Sequence, residues 1–275
     1  LNVAVVEKEY LGTGQIAESS RVDNYPGIPG IDGYSLGEKF REHAESLGVE
    51  FTEAQVLSLG QKDGIWIIGC DEDITLESKA VIYATGCKNR PLGVPGEEKY
   101  YGRGLSFCAV CDGAFYKGKS VAVIGGGDTA LDDAMYLSDI CEKVYLVHRR
   151  EFFRGSASTL EKLKQKENVE IIVNARVEEI TGDKKIDGII LDNKTKLNIS
   201  GLFAAVGMVP QTELLKEFGV LDESNYVKAS EDTKTTVNGL FVAGDVRTKQ
   251  LRQVVTAAAD GANAIYSVME YLRNI

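Results

Sequence analysis

Cys108 and Cys111 are separated by two residues and followed at once by Asp112 and Gly113. Thiols at this spacing can close into a small disulfide ring, and a nearby carboxyl or helix start biases which sulfur attacks and which leaves. The pair is a candidate redox centre; half of a metal site or two separate core thiols are the other readings of the same residues. A zinc site needs about four ligands, and beyond the cysteines the chain holds only His43 and His148, with no second ligand pair at zinc-like spacing. Shortly after the pair comes Gly125-x-Gly127-x-x-Ala130. Such a turn lets backbone amides approach a pyrophosphate at the positive end of the following helix, a tight turn without a ligand being the alternative. Where the next apolar run ends, a carboxylate would bond a ribose diol, whereas guanidinium groups favour a 2′-phosphate. His148, Arg149, Arg150 and Arg154 stand there. The expected ligand is NADPH, held by Gly125, Gly127, Asp128, Thr129, Ala130 and this basic cluster, with a solvated basic face as the alternative.

Positioning these groups takes a buried strand at 121–124, a helix opened by the glycine turn and running to about residue 138, and a second strand at 144–147. That is the size of one βαβ crossover. Val3-Ala4-Val5-Val6-Glu7 reads as another buried strand, whose terminal acid suits a ribose hydroxyl. Its own first strand and glycine loop belong about 20 to 30 residues earlier, ahead of Leu1, so one strand, turn and helix of that unit are expected to be missing. Further buried strands are expected at 80–84, 202–206 and 240–243, closed by Thr85-Gly86, Gly207 and Gly244-Asp245, as suits a ligand approaching the carboxyl edge of an open sheet. Asn89-Arg90-Pro91 and Met208-Val209-Pro210 read as paired connectors in which proline disfavours regular structure. The expectation is an α/β protein: a nucleotide domain at 89–209 inserted into a second domain built from 1–88 and 210–275, closed by a last helix at about 254–272 with an alanine-rich face.

A chain of 275 residues with 44% hydrophobic residues suffices for two domains with their own cores. No apolar run approaches the roughly 20 residues of a membrane helix, and no basic-then-apolar leader opens the chain. A formal charge of -10 repels a phosphate backbone. Neither a membrane nor nucleic acid is an expected partner, and the expected location is the cytoplasm. Five cysteines, an odd number, argue for a reducing compartment; Cys70, Cys87 and Cys141 read as small buried hydrophobes.

The Cys-Ala-Val-Cys-Asp-Gly block, the Gly-Gly-Gly-Asp-Thr-Ala turn and the His-Arg-Arg-x-x-x-Arg cluster occur in the order and spacing of the low-molecular-weight, bacterial-type thioredoxin reductases. The chain resembles that family over essentially its whole length. The resemblance implies two Rossmann-like dinucleotide-binding domains, the NADPH domain inserted into the FAD domain, and a homodimer. It further implies that Gln15, Asn24, Thr85 and Gly86 lie on the flavin side with Glu7, that Gly244 and Asp245 hold the FAD ribityl chain, and that Arg252, Gln253 and Val254 open a helix at the flavin ring. There the helix dipole would favour a negatively charged flavin. Gly12-Thr13-Gly14 departs from the adjacent glycines usual before Gln15. The family's glycine loop for the FAD pyrophosphate is not among these residues, which predicts weak flavin binding, or none, for the chain as it stands.

The function implied by the resemblance is that of a thioredoxin-disulfide reductase, passing electrons from NADPH through FAD and the Cys108–Cys111 disulfide to thioredoxin or a thioredoxin-like protein. Asp112 is the candidate proton donor or acceptor beside the sulfurs, given an environment that raises its pKa; a helix-cap acid is the alternative. In the family the inserted domain is thought to rotate, and the proline-bearing connectors are the expected hinge. Two rivals remain: the same scaffold serving another redox partner, and a flavin-free NADP-binding module.

Overall fold

The computed structural model describes residues 1–8, 14–19 and 21–275; Gly12 and Thr13 lie outside them. The described chain divides into two compact units, one of Leu1–Ala17, Tyr25–Lys88 and Val209–Ile275, the other of Glu18–Asn24 and Asn89–Met208.

In the second unit, side chains along the strand Ser120–Gly125 alternate between two apolar faces, which is why the strand reads as a continuous hydrophobic run. Val121 and Val123 pack with Leu131, Ala134 and Leu137 of the helix Asp128–Ser138 and Leu163 of the helix Ala157–Lys164. Ala122 and Ile124 pack with Ile180, Ile189, Leu191 and Leu197, which come from an antiparallel meander, Val177–Thr181, Gly188–Leu191 and Lys196–Asn198. The three leucines on the helix side are fully buried, each contributing about 1.5–3 kcal/mol of transfer free energy. The five-stranded parallel sheet runs in the order Val169–Val173, Lys143–His148, Ser120–Gly125, Gly201–Ala205, Leu105–Ser106. Its connection reverses direction between Ser120–Gly125 and Gly201–Ala205, the topological switch at which open α/β sheets bind ligands beyond their carboxyl ends.

One acid on this unit's first long helix opposes folding at neutral pH. Burial, and secondarily the charge of Asp132, pushes Asp133 up to about 7. A carboxyl raised above its unfolded value binds its proton more tightly when folded, so its stability contribution is present at low pH and lost as pH rises from near 4 through about 7. The Asp133→Asn variant should therefore hold its melting temperature between pH 5 and pH 8, where the parent should lose roughly 4 °C more than the variant. Parallel melting curves across that range would contradict the assignment.

The first unit is assembled from smaller sheets. Ala4–Glu7 pairs in parallel with Glu50–Glu53, and Leu240–Val242 with Val81–Tyr83, while Val56–Lys62, Ile65–Cys70 and Thr75–Ser78 form an antiparallel meander. Its core holds Trp66, Leu215, Val220, Val227, Leu240, Val242 and Val246. Trp66 is fully buried, with its ring centroid 5.5 Å from that of Phe218.

Two expectations need correction and a third is sharpened. The first strand is half-buried rather than buried, and Val3 is exposed, because Glu50–Glu53 flanks it on one side among the described residues. The proline-bearing connectors are regular: Cys87–Asn89 and Met208–Pro210 form a two-stranded ladder, flanked by Arg90 N–H donating to Gly207 O and Gln211 N–H to Gly86 O, both at 3.0 Å. Pro91 disfavours helix before it but allows extended backbone, and Pro210 ends its strand, where a missing donor costs least. The last helix, Val254–Arg273, turns Asp260, Ala264, Ser267 and Val268 inward, whereas Ala258, Ala259 and Ala262 are exposed.

Candidate active site

Cys108 and Cys111 are joined, with an S–S distance of 2.04 Å. Cys108 caps the single helical turn Ala109–Asp112, its Sγ accepting the Cys111 N–H at 3.2 Å, a contact that would favour negative charge on that sulfur. Asp112 is half-buried, and burial pushes its carboxyl above the usual range, against a hydrogen bond from Ser106 that pulls it down. Ser106 Oγ donates to Asp112 Oδ2 at 2.7 Å and accepts the Cys108 N–H at 3.1 Å. One hydroxyl thus ties the acid to the backbone of the first cysteine. Nothing in the sequence singled out Ser106, since a serine two residues before a cysteine has no motif of its own. Val110, between the two cysteines, and Phe115, four residues after Cys111, are 57% and 45% exposed.

The glycine turn of the same unit is built from close approaches. A Cβ on Gly125 would lie 2.4 Å from Ala205 O and one on Gly126 2.2 Å from the His148 ring, whereas one on Gly127 would meet nothing within 4 Å. The first two glycines permit packing, and the third leaves open space before the start of Asp128–Ser138, as a bound diphosphate requires. The loop carrying Arg154 is stitched to this turn by Arg154 N–H to Gly126 O at 2.7 Å, Gly155 N–H to Gly126 O at 3.2 Å and Ser156 N–H to Asp128 Oδ1 at 2.7 Å. Arg149, Arg150 and Arg154 are exposed. Thr129 is exposed in the first turn of the helix, and Ala130 is buried beneath it. His148 parts company with the arginines. Its ring is buried against Gly126 and stacked on Phe153 at 4.9 Å, with Nε2 3.2 Å from Phe152 O. Burial, with the arginine charges assisting, lowers its pKa, so it supports the turn as a neutral ring. An open amide cradle beside exposed guanidinium groups fits the diphosphate and 2′-phosphate of NADPH.

In the other unit, the ends of Val81–Tyr83 and Leu240–Val242 are drawn together by Ala243 N–H donating to Tyr83 O at 3.1 Å. Thr85 Oγ1 donates to Gln211 O at 2.6 Å, and Gly86 and Gly244 adopt φ of +68° and +77°, which only glycine takes without strain. The Asp245 carbonyl accepts from Cys87 Sγ at 2.9 Å and from Arg252 Nε at 3.1 Å, and the Arg252 guanidinium lies 4.2 Å from the Tyr226 ring centre. Gln253 caps Val254–Arg273, its N–H donating to Thr256 Oγ1 at 3.1 Å. Asp245 Oδ1 is buried and has no hydrogen-bond partner among the described residues. Burial pushes this carboxyl up, against the charges of Lys249 and Arg252. A buried acceptor left unmade costs about 1–3 kcal/mol, so this oxygen fits a polyol hydroxyl, as on the ribityl chain of FAD.

The turn that carries Asp245 is held by residues that no motif in the sequence singles out. Asp260 Oδ2 accepts the Gly244 N–H at 2.9 Å, Arg247 Nε at 2.8 Å and Lys249 Nζ at 2.8 Å, while Oδ1 accepts Arg247 Nη2 at 2.6 Å. An acid interrupting an alanine-rich helix was the available signal. Thr85, Gly86, Gly244, Asp245, Arg252, Gln253 and Val254 thus share one neighbourhood of backbone ends and turns. Glu7 ends its strand with Oε2 3.8 Å from Arg41 Nη1, and Gln15 is half-buried on the turn Gly14–Glu18, whereas Asn24, expected on the flavin side, is exposed on a bend grouped with Asn89–Met208.

Residues 1–261 match the family model described as pyridine nucleotide-disulphide oxidoreductase. A thioredoxin reductase of Helicobacter pylori is 39% identical over 285 residues, covering 99% of this chain and 91% of that protein. A 34.2 kDa protein in the rubredoxin operon of Clostridium pasteurianum is 36% identical over 280 residues, covering 99% and 90%. The crystal structure of thioredoxin reductase from Streptococcus pyogenes superimposes with a TM-score of 0.90 at 33% identity, covering all of this chain and 98% of that one.

Proposed function

Because this chain belongs to the pyridine nucleotide-disulphide oxidoreductases, within their thioredoxin reductase group, we propose that Cys108, Cys111 and Asp112 are its reducing centre and that the two units divide the cofactors between them. The group's activity is NADPH-dependent reduction of thioredoxin, with FAD as the resident cofactor. The observation that carries the residue assignment is the half-buried acid tied through one serine to the backbone of the first cysteine.

The unit containing Asn89–Met208 binds NADPH. Amides of Gly125–Gly127 and the start of Asp128–Ser138 hold the diphosphate, Thr129 lies within the same first turn, and Arg149, Arg150 and Arg154 hold the 2′-phosphate. The flavin-side unit holds FAD through Asp245, with Thr85, Gly86, Arg252, Gln253 and Val254 shaping the surrounding turns and Glu7 and Gln15 as further contacts. When bound, FAD relays an electron pair from the nicotinamide to the disulfide. The chain's part is to accept that pair in the Cys108–Cys111 bond, which breaks into two sulfurs, and to supply protons to them. The Cys111 amide favours charge on Cys108 Sγ, and Asp112, kept protonated to higher pH by burial, delivers the proton. The dithiol then reduces a thioredoxin disulfide through a mixed disulfide, restoring Cys108–Cys111.

Asp112→Asn tests this. Proton transfer by a positioned acid contributes about 10²–10⁴-fold, so dithiol formation should slow by a factor in that range. In the parent the rate should fall as pH rises through the raised Asp112 pKa, because the proton to be donated is then lost; in the variant that limb should be absent. Stopped-flow measurement across pH decides it, and an unchanged limb in the variant would assign the proton elsewhere.

Exposed apolar side chains on one flank of Val254–Arg273, namely Val255, Ile265, Tyr266 and Met269, support a homodimer, which sedimentation equilibrium would test. No helix among the described residues is long and apolar enough to cross a membrane. Buried free thiols at Cys70, Cys87 and Cys141 support a cytoplasmic location, to be checked by fractionation; neither nucleic acid nor membrane is proposed as a partner.

A further inference from the structure

Arg247 and Lys249 are two cations whose side chains are only 5% and 7% exposed. Buried charge is costly unless paired and hydrogen-bonded. The pairing comes from Asp260, itself 4% exposed at the side chain, on the second turn of Val254–Arg273. Glu231 also lies 3.4 Å from Arg247 but is 88% exposed, so solvent weakens that contact. Burial alone would push Asp260 up; hydrogen bonds from Arg247, Lys249 and Gly244 together hold it below the usual carboxylate range. The same carboxylate takes the N–H of Gly244, the left-handed residue that starts the turn, and the next residue presents Asp245 Oδ1, buried and without a hydrogen-bond partner among the described residues.

We propose that Asp260 is a positioning residue for flavin binding, fixing the Gly244–Asp245 turn through the Gly244 amide and the charges of Arg247 and Lys249 so that Asp245 Oδ1 is aimed at a polyol hydroxyl. The inference rests on the assignment of Asp245 as the ribityl-binding acid. Asp260 does not touch the flavin; it decides where the residue that does is held. A helix-to-turn staple serving stability alone would produce the same contacts, so the test must read coupling to Asp245 rather than stability.

Holoenzymes carrying Asp260→Asn, Asp245→Asn and both substitutions are diluted and FAD release is followed by the rise of free-flavin fluorescence, with melting temperature recorded beside it. Asparagine can still accept the Gly244 amide but removes the carboxylate from both cations, leaving Arg247 only the exposed Glu231. Asp260→Asn should release FAD about tenfold faster, and in the Asp245→Asn background it should add nothing, the signature of two residues acting through one contact. An equal acceleration in both backgrounds, or unchanged release in Asp260→Asn, overturns the proposal. Unchanged release in Asp245→Asn alone overturns the Asp245 assignment, and the proposal with it. Where Asp260→Asn fails to fold, Lys249→Met carries the same comparison: it keeps the carboxylate, removes one cation it holds, and should accelerate release about threefold only while Asp245 is present.

Discussion

Replacing Cys108 with serine is expected to lower thioredoxin reduction by at least about a thousandfold while leaving NADPH binding intact. The effect is large because Cys108 and Cys111 share a disulfide that, on the proposed assignment, takes the electron pair from the cofactors, and a hydroxyl can form neither that bond nor the mixed disulfide with the partner. Cys111→Ser should be as damaging for the same reason. Neither change should disturb the glycine turn, which is built from separate contacts among Gly125, Gly126, His148 and the Arg154 loop. Two measurements are needed together: steady-state reduction of oxidised thioredoxin, and bleaching of the flavin absorbance by NADPH without oxygen. Bleaching with no thioredoxin reduction places these cysteines downstream of the flavin. A serine variant that still reduced thioredoxin would remove them from the electron path.

The second large effect concerns the nucleotide. Hydrogen bonds to charged groups contribute about 1.5–3 kcal/mol each, so replacing Arg149, Arg150 and Arg154 together with alanine should raise the KM for NADPH at least about a hundredfold. The KM for NADH should stay within about threefold, since that substrate lacks the phosphate the guanidinium groups would bind. The three arginines are exposed, and surface substitutions away from packed features shift stability little, so the melting temperature should stay close to the parent's. Parallel losses for both nucleotides would point to a general binding role and against recognition of the 2′-phosphate.

The nucleotide unit was legible because its signals are local. A buried strand, three glycines and an amphipathic helix follow one another in sequence, and the strand Ser120–Gly125 and helix Asp128–Ser138 lie where the residues place them. The proximity of Cys108 to Cys111 was equally local. His148 was harder, since a strand-end histidine beside arginines reads as part of a basic cluster until the contact with Gly126 across the turn turns it inward. Ser106 and Asp260 were harder still. The first acts through a six-residue return to Asp112 and the second across sixteen residues to Gly244, and no periodicity or motif encodes either hydrogen bond. The connectors show the reverse error: proline disfavours helix and the middle of a ladder, but extended backbone is what the residue before a proline prefers.

Trp66 is the chain's single tryptophan, and it lies fully buried against Phe218 in the flavin-side unit. Intrinsic emission at the red edge of excitation therefore comes from that unit alone, while the unit carrying the dithiol is spectroscopically silent there. Circular dichroism sums both units. A lag between the two signals during denaturation would show, without any label, whether the halves of this reductase melt as one body or in sequence.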